Sequence, residues 1–272
     1  MESDQQSLSL LFRDLSTQLR SSLSTAHLAL AQLVPASQRT QDQKIDTQAA
    51  VLDQSYHQLL RLSQNLSALA DLTSGAPPDL QDCDLVDLIR DLCLQVESYA
   101  ALLRLNFRFL CDLAPQICMV RQDQIQRLFF HLISNAFKYT PAGGSITVEL
   151  RRSGQRLRLS VQDTGCGIAP ARMDHLFDHR SPSDFLNPPP IQSGLGLGLP
   201  LCRAIAAVHK GSIMAESHPE QGTCVTVSLP IHQGGTSTVS DIYTGYSSGF
   251  SQSLTALSDA LPVCAFLVNA SK

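Results

Sequence analysis

The sequence lacks the features that mark several common classes of protein. No apolar run approaches the ~18 residues that a transmembrane helix needs, and the polar N-terminus, Met1-Glu2-Ser3-Asp4, is unlike a signal peptide. Basic residues are not in excess, since 20 Lys and Arg stand against 24 Asp and Glu, so nucleic acid is not an expected partner. None of the eight cysteines belongs to a C-x-x-C pair, which argues against a metal or redox framework. We therefore expect a cytoplasmic protein with reduced cysteines and no membrane span.

What is present is a chain of 272 residues, 43% of them hydrophobic, which can build one large domain or two small ones. Two long amphipathic helices are predicted first, over about 7–34, where Pro35 ends the first, and over about 44–72. Neither helix can bury its apolar stripe alone, so we expect an antiparallel hairpin that pairs with a second copy into a four-helix bundle. The alternative is a monomeric hairpin packed on the next domain. The two stripes are Leu8, Phe12, Leu15, Leu19, Ser22, Ala26, Ala29 and Leu33, and Ile45, Ala49, Leu52, Tyr56, Leu59, Ser63, Leu66 and Leu69.

After a linker at 73–78 the pattern changes to mixed helices and strands. A helix is predicted over 85–103 and another from an Asp123 N-cap to Tyr139. Strands are predicted over 105–110, 145–150, 156–161, 211–215 and 223–229. Antiparallel hairpins beside helices indicate an α/β sandwich with its helices on one face of the sheet.

A glycine-rich loop occupies 194–198, where Gly194, Gly196 and Gly198 alternate with leucines. An apolar, helix-compatible run from Pro200 to Val208 follows directly. Backbone N–H groups at the start of a helix form a site for phosphate, and glycines let the backbone approach a ligand closely. Taken alone, the same loop is equally typical of a flexible linker before a core helix.

Two further elements precede that loop. His131, Asn135 and Lys138 share one helix face at i, i+4 and i+7, where an amide oxygen suits Mg²⁺ and an ammonium group can neutralise phosphate. Asp163-Thr164-Gly165-Cys166-Gly167 places a carboxylate at a strand end, where it can accept a hydrogen bond from an exocyclic amine such as that of adenine. Each of these is, by itself, also typical of an ordinary polar helix face or a turn.

In this order and spacing, the elements resemble the ATP-binding domain of sensor histidine kinases, in the GHKL superfamily that also holds DNA gyrase, the Hsp90 chaperones and the mismatch-repair ATPases. The resemblance covers about 80–230, and the preceding hairpin is similar to the family's dimerisation and phosphotransfer domain. The matching positions are Asn135, Lys138 and Tyr139 in the N box, Asp163, Gly165 and Gly167 in the G1 box, Phe177 in the F box, Gly194, Gly196 and Gly198 in the G2 box, and Gly222-Thr223 in the last motif.

The resemblance implies an α+β protein with a helical hairpin at 5–73, forming a dimeric four-helix bundle, and a GHKL-type α/β sandwich at 78–231. Beyond the resemblance, the tail at 232–272 begins rich in Gly, Ser and Thr and either carries a short docked helix or is disordered. The resemblance also implies that Asn135 holds Mg²⁺, that Asp163 reads adenine and that 178–198 form a lid over the triphosphate. Lys138 and His131 are the candidate catalytic residues. The implied ATP contacts are Asn135, Lys138, Tyr139, Asp163, Gly165, Gly167, Phe177, Gly194, Gly196, Leu197, Gly198 and Thr223.

The family passes the γ-phosphate of ATP to a histidine on the first hairpin helix and then to an aspartate of a response regulator. Here the best alignment of that segment is Ser16-Thr17-Gln18-Leu19-Arg20, which puts Thr17 in the place of the histidine and Gln18 in the place of its acidic neighbour. Thr17 lacks an imidazole nitrogen, so a conventional phosphohistidine at this position is excluded. His27 and His57 are the remaining histidines of the hairpin and therefore weak candidates as acceptors.

Three hypotheses follow from this departure. The chain is either a histidine-kinase-like protein that still transfers phosphate, or a degenerate pseudokinase that binds ATP and acts on a response regulator or another partner through its conformation. The third hypothesis, a serine/threonine kinase akin to the anti-sigma-factor kinases, is disfavoured because those kinases generally lack the long hairpin.

Overall fold

The computed structural model describes residues 2–73, 79–178, 196–231 and 252–268, with side chains of the first segment described for 12–72. These residues divide into two compact units, one built from 2–73 together with 252–268 and the other from 79–231. The elements, in chain order, are α1 (Glu2–Leu33), α2 (Ala36–Gln41), α3 (Gln43–Thr73), β1 (Gln81–Asp84), α4 (Leu85–Leu102), β2 (Asn106–Leu110), β3 (Ile117–Val120), α5 (Gln122–Tyr139), β4 (Ser145–Ser153), β5 (Arg156–Asp163), α6 (Pro170–Met173), α7 (Gly198–Val208), β6 (Ser212–His218), β7 (Gly222–Pro230), α8 (Gln252–Leu257) and a 3₁₀ turn (Val263–Phe266).

In the first unit, α1 and α3 form an antiparallel hairpin. Ser63 Oγ donates to the Ser16 carbonyl at 2.7 Å, and Arg13 pairs with Asp71 at 2.5 Å, which fixes the register of the two helices. Four of the buried residues of α3 recur every seven positions, as expected for two helices packed side by side. They are Ala49, Tyr56, Ser63 and Ala70.

The apolar stripe predicted on α1 is only partly the seam of this hairpin. Ser16 is completely buried, whereas Leu15, Leu19 and Leu33 are 45%, 44% and 76% exposed. On α3, Leu52 and Leu59 of the predicted stripe are also exposed. The hairpin therefore buries part of the pattern and presents the rest on its surface.

The C-terminal segment 252–268, which we call the C-terminal strap, packs on α3. Leu257, Leu261 and Phe266 of the strap are buried. Gln54 Nε2 donates to the Leu261 carbonyl at 2.8 Å, and Arg61 forms an ion pair with Asp259. The sequence left a short helix and disorder open for the tail, and residues Gln252–Leu257 form a short helix, α8. The boundaries predicted for the three segments of the chain remain a prediction, but the described part of the tail belongs with the hairpin.

The second unit is built on a five-stranded sheet with the order β2-β4-β5-β7-β6, in which only the β2–β4 pair is parallel. One face is apolar and buried, and α4, α5 and α7 pack against the sheet or against one another. Along each strand, side chains of the opposite face alternate with the buried ones, and most of them are polar. The buried face comprises Ile146, Val148, Leu150, Leu157, Leu159, Val161, Val227 and Leu229.

The α+β architecture predicted from the sequence is confirmed, with local differences. The prediction that Asp123 caps α5 was wrong, because the helix begins earlier, with Arg121 at the N-cap. The backbone N–H of Arg121 donates to Nε2 of buried His209 at 3.0 Å. The polar stretch after Pro35 forms the short helix α2. The antiparallel pair β1–β3 was not predicted. No helix in the described ranges is both long and apolar enough to cross a membrane.

Candidate functional site

Asp163, at the end of β5, is the central residue of the candidate site. It is 8% exposed and pairs with Ile146 on the buried face of the sheet. Its Oδ1 accepts hydrogen bonds from the backbone N–H groups of Gly165 at 2.8 Å and Thr223 at 3.2 Å. Within the described part of the chain no donor occupies Oδ2. The carboxylate is therefore fixed through one oxygen and can accept a ligand's hydrogen bond through the other.

Burial sets the protonation behaviour of this carboxyl. Removal from water raises the pKa of Asp163 above its usual value, and the two backbone N–H donors oppose that rise because they stabilise the charged form. A buried acceptor with its position fixed in advance is suited to discriminating between ligands by their hydrogen-bond donors.

Two glycines allow the chain to close tightly around Asp163. Gly222 has φ +88°, and a Cβ there would overlap the Asp163 carbonyl oxygen. A Cβ on Gly165 would overlap the carbonyl oxygen of Tyr139. These close approaches bring the end of α5, the loop after β5 and the start of β7 together, so the N box, the G1 box and the last motif meet in one place.

Ser217 on β6 holds the same loop and was not singled out from the sequence. Its Oγ accepts from the N–H of Ile168 at 2.8 Å, donates to the Gly222 carbonyl at 2.9 Å and lies 2.8 Å from Thr223 Oγ1. No motif marks this serine, because its role depends on the pairing of β6 with β7.

The predicted polar face of α5 is present, with its members buried to different extents. Asn135 and Lys138 are half-buried, Tyr139 is 44% exposed and His131 is 4% exposed. The Tyr139 carbonyl accepts from the N–H of Cys166 at 3.2 Å, which joins the end of α5 to the loop after Asp163. Because His131 is buried, its position favours a packing role, and its part in chemistry remains a prediction.

The second half of the glycine-rich loop leads into α7. Gly196 has φ +67°, Leu197 is the N-cap and Gly198 is the first helical residue, two residues earlier than predicted. His131 Nδ1 lies 3.3 Å from where a Cβ on Gly198 would stand, so α5 and α7 approach closely here. Gly194 and most of the predicted lid, 179–195, lie outside the described residues. Phe177 is half-buried at the end of the preceding described segment.

Thr17 and the two candidate histidines of the hairpin occupy different environments. Thr17 is exposed, and its Oγ1 donates to the Arg13 carbonyl at 2.9 Å. His57 is 4% exposed, with Nδ1 2.8 Å from Thr255 Oγ1. Burial lowers the pKa of His57 to about 4, with the charge of His27 adding to the effect and Asp53 opposing it. The side chain of His27 is 18% exposed, and Nδ1 lies 3.7 Å from Asp53 Oδ1.

Comparison with known proteins places this geometry in a family. Residues 120–233 match the family described as "Histidine kinase-, DNA gyrase B-, and HSP90-like ATPase". The adaptive-response sensory kinase SasA of Synechococcus sp. (strain JA-2-3B'a(2-13)) is 31% identical over 220 residues, which are 79% of this chain and 57% of the relative. The sensor histidine kinase RppB of Synechocystis sp. is 30% identical over 217 residues, which are 79% of this chain and 47% of the relative.

Solved structures share the fold. Full-length ShkA in complex with AMPPNP has a TM-score of 0.64 at 22% identity, covering 85% of this chain and 46% of ShkA. The Acinetobacter baumannii histidine kinase AdeS has a TM-score of 0.53 at 20% identity, covering 67% and 85% of the two chains.

The second unit is a histidine-kinase-type ATPase domain. The chain is similar to sensor histidine kinases over 79% of its own length, in line with the resemblance of its motifs, and it spans about half the length of the curated relatives described above.

Proposed function

We propose that the chain binds ATP with Mg²⁺ at Asp163 and acts in two-component-type signalling. The observation that carries this proposal is the fixed, buried carboxylate of Asp163, which has Oδ2 available for the exocyclic amine of adenine. The AMPPNP bound to ShkA, a protein of the same fold, supports a nucleotide as the ligand. Gly165 and Gly167 let the loop after Asp163 pack against the Tyr139 and His218 carbonyl oxygens, which fixes the backbone beside the proposed base.

The triphosphate then extends towards α5 and the start of α7. Asn135 supplies an amide oxygen, a ligand type that suits Mg²⁺, and the remaining coordination positions belong to phosphate oxygens and water. Lys138 neutralises phosphate charge, and the backbone N–H groups of Gly196, Leu197 and Gly198 bind phosphate oxygens. Tyr139, Phe177, Gly194 and Thr223 complete the proposed contacts.

Asp163→Asn tests this site. The amide at position 163 no longer offers a charged acceptor, and a hydrogen bond to a charged group is worth about 1.5–3 kcal/mol, so the Kd for ATP should rise about 10- to 100-fold. Titration of a fluorescent ATP analogue, with and without Mg²⁺, measures the change. Asp112→Asn, an exposed carboxylate of the same unit, is the control and should leave the Kd unchanged. Equal affinity in both variants would refute adenine recognition by Asp163.

A homodimer formed by the hairpin is the second part of the proposal. Seven large apolar residues of α1 and α3 are 44–76% exposed, which is an unusual apolar surface for an isolated hairpin. A second copy of the chain would cover them in a four-helix bundle. Light scattering of the full chain should give twice the mass of 29.5 kDa, and a mass of one chain at micromolar concentration would refute the dimer.

Whether the chain transfers phosphate depends on an acceptor residue. Because Thr17 stands in the place of the family's histidine, a pseudokinase is the second candidate function. A pseudokinase of this kind would act on a response regulator or another partner through its conformation alone. Thr17 is exposed on α1, so a histidine fits there without repacking. If only the acceptor has been lost, Thr17→His combined with Gln18→Glu should gain phosphate from γ-labelled ATP, which is detected by scintillation at neutral pH.

The matched control for this gain of function is Thr25→His. Thr25 is also exposed on α1 and makes the same backbone bond, with Oγ1 donating to the Ser21 carbonyl at 3.0 Å, but it lies two turns beyond the expected acceptor position. Label in the first variant and not in the second supports a competent kinase. No label in either, with ATP still bound, supports the pseudokinase.

A further inference from the structure

A pair of hydroxyl groups is joined to the carboxylate of Asp163. Ser217 on β6 and Thr223 on β7 are directly opposite each other in the antiparallel pair, and their side-chain oxygens are 2.8 Å apart. The backbone N–H of Thr223 donates to Asp163 Oδ1 at 3.2 Å. Thr223 is an even number of residues from Val227 of the buried face, so the hydroxyl pair lies on the face of the sheet that also carries Asp163.

The direction of the hydrogen bonds in this pair follows from the number of protons. A serine hydroxyl has one proton to donate and two lone pairs with which to accept. Ser217 Oγ accepts from the N–H of Ile168 at 2.8 Å and donates its proton to the Gly222 carbonyl at 2.9 Å. Its second lone pair can only accept, so the proton shared with Thr223 comes from Thr223. The Thr223 hydroxyl then has no proton for a ligand and offers only its lone pairs.

The carboxylate next to this hydroxyl also offers only acceptors. Asp163 Oδ1 receives the N–H groups of Gly165 and Thr223, and Oδ2 of the ionised group has no proton to give. In a purine, a 6-amino group donates hydrogen bonds, whereas a 6-oxo group only accepts them. An oxo group placed against two acceptors leaves all of these atoms unpaired, which is the means by which a polar site rejects an analogue.

We propose that Ser217 is a positioning residue for the selection of the nucleobase. By taking the proton of Thr223, it keeps the Thr223 oxygen an acceptor, and the site thereby favours 6-aminopurine over 6-oxopurine nucleotides. Ser217 acts through Thr223 and not by contact with the base. This inference rests on the proposed function, because it takes the nucleotide to bind at Asp163.

The loop after β5 is held to the turn between β6 and β7 by contacts other than those of Ser217. The N–H of Glu220 donates to the Cys166 carbonyl at 2.9 Å, and Gly167 packs so closely that a Cβ there would overlap the His218 carbonyl oxygen. Loss of the Ser217 hydroxyl should therefore leave the loop in place. Its effect should fall on the hydroxyl that it orients, which becomes able to donate as well as to accept.

The experiment compares ATP with inosine triphosphate, which carries an oxo group in place of the 6-amine. Each nucleotide displaces the fluorescent ATP analogue from the full chain, and the Kd for inosine triphosphate divided by the Kd for ATP measures base selection. Ser217→Ala should lower this ratio about 10-fold, the amount that one hydrogen bond carries. Ser217→Thr, which keeps a hydroxyl, should leave the ratio near its native value. Circular dichroism verifies that the variants are folded.

A matched control comes from the other face of the same sheet. Ser160 on β5 and Thr226 on β7 form an equivalent pair of opposite hydroxyls, 3.0 Å apart. Ser160→Ala removes that pair and should keep the native ratio.

A double-mutant cycle separates the orientation of Thr223 from a merely structural role of Ser217. Thr223→Val removes the acceptor and should itself lower the ratio about 10-fold. Adding Ser217→Ala to Thr223→Val should lower the ratio no further, because the hydroxyl through which Ser217 acts is gone.

An unchanged ratio in Ser217→Ala overturns the inference. So does a further fall of the same size in the Thr223→Val background, which would show that Ser217 acts through the backbone. In both of these outcomes ATP still binds, so the proposed function stands. Failure of ATP to displace the analogue from the native chain would refute the proposed function and this inference with it.

Discussion

At the scale of the residue, the clearest steric prediction concerns Gly222, the first residue of β7. Gly222 and Gly143 share a φ of +88°, but a Cβ meets nothing within 4 Å at Gly143, whereas at Gly222 it overlaps the Asp163 carbonyl. Gly143→Ala should therefore lower the free energy of unfolding only through the backbone strain that alanine introduces, by about 1–2 kcal/mol. Gly222→Ala should lower the free energy of unfolding clearly more, and it should also weaken ATP binding, because Asp163 must move. Thermal melts with the nucleotide titration measure both, and equal losses would contradict the steric argument.

Residue patterns singled out many of the residues that the structure brings together around Asp163, because their contacts are local or follow motif order. Asp163 and Gly165 are two positions apart, so the hydrogen bond between them depends on the local conformation of the chain and not on distant pairing. Ser217 was missed because its three contacts exist only after β6 and β7 pair. The same holds for His209, whose Nε2 accepts from Arg121 across 88 residues of sequence.

At the scale of the element, the C-terminal strap is expected to stabilise the hairpin. Leu257 is completely buried on it, and truncation of a buried leucine to alanine typically destabilises a protein by 2–5 kcal/mol. Leu257→Ala should lower the midpoint of hairpin unfolding, followed by circular dichroism in urea. Leu28→Ala on α1, 63% exposed, should change the free energy of unfolding by less than about 0.5 kcal/mol. Similar effects of the two substitutions would show that the strap contributes little.

Element boundaries followed from the sequence where side-chain period and caps agree. The alternation of apolar residues predicted β4, β5 and β7 to within a few residues, since one face of the sheet is buried. On α1 the three-and-four spacing predicted the helix but not which stripe faces α3. Periodicity defines the apolar faces of a helix without identifying the partner of each face, so exposed Leu15 and buried Ser16 could not be assigned in advance.

At the scale of the whole molecule, acid should unfold the hairpin unit through His57. The unfolded chain takes up a proton on this histidine near pH 6.5, whereas the folded chain does so only near pH 4. The free energy of unfolding of the hairpin unit is therefore unaffected by His57 above pH 6.5. As the pH drops from 6.5 to 4 it falls by about 3 kcal/mol, for a pKa shift of this size. Melting between pH 7 and 4 measures the loss.

The control for this pH dependence is a histidine in solvent. His57→Gln should flatten the pH dependence of the hairpin melt over this window, whereas His175→Gln, at a side chain 79% exposed, should leave it as in the native protein. A native profile already flat between pH 6.5 and 4 would refute the buried-histidine explanation.

The association of the strap with the hairpin also has a consequence for the order of events on the ribosome. Among the described residues of the hairpin unit, the chain leaves α3 at Thr73, and the strap that packs on α3 begins at Gln252, after the ATPase domain has been made. At about 5–20 residues per second, translation of the intervening 178 residues takes roughly 10–40 s. For that time the α3 surface that the strap will cover is open to other molecules in the cell. The nascent hairpin is thus the stage at which a chaperone, or a second nascent copy, has its best opportunity to bind.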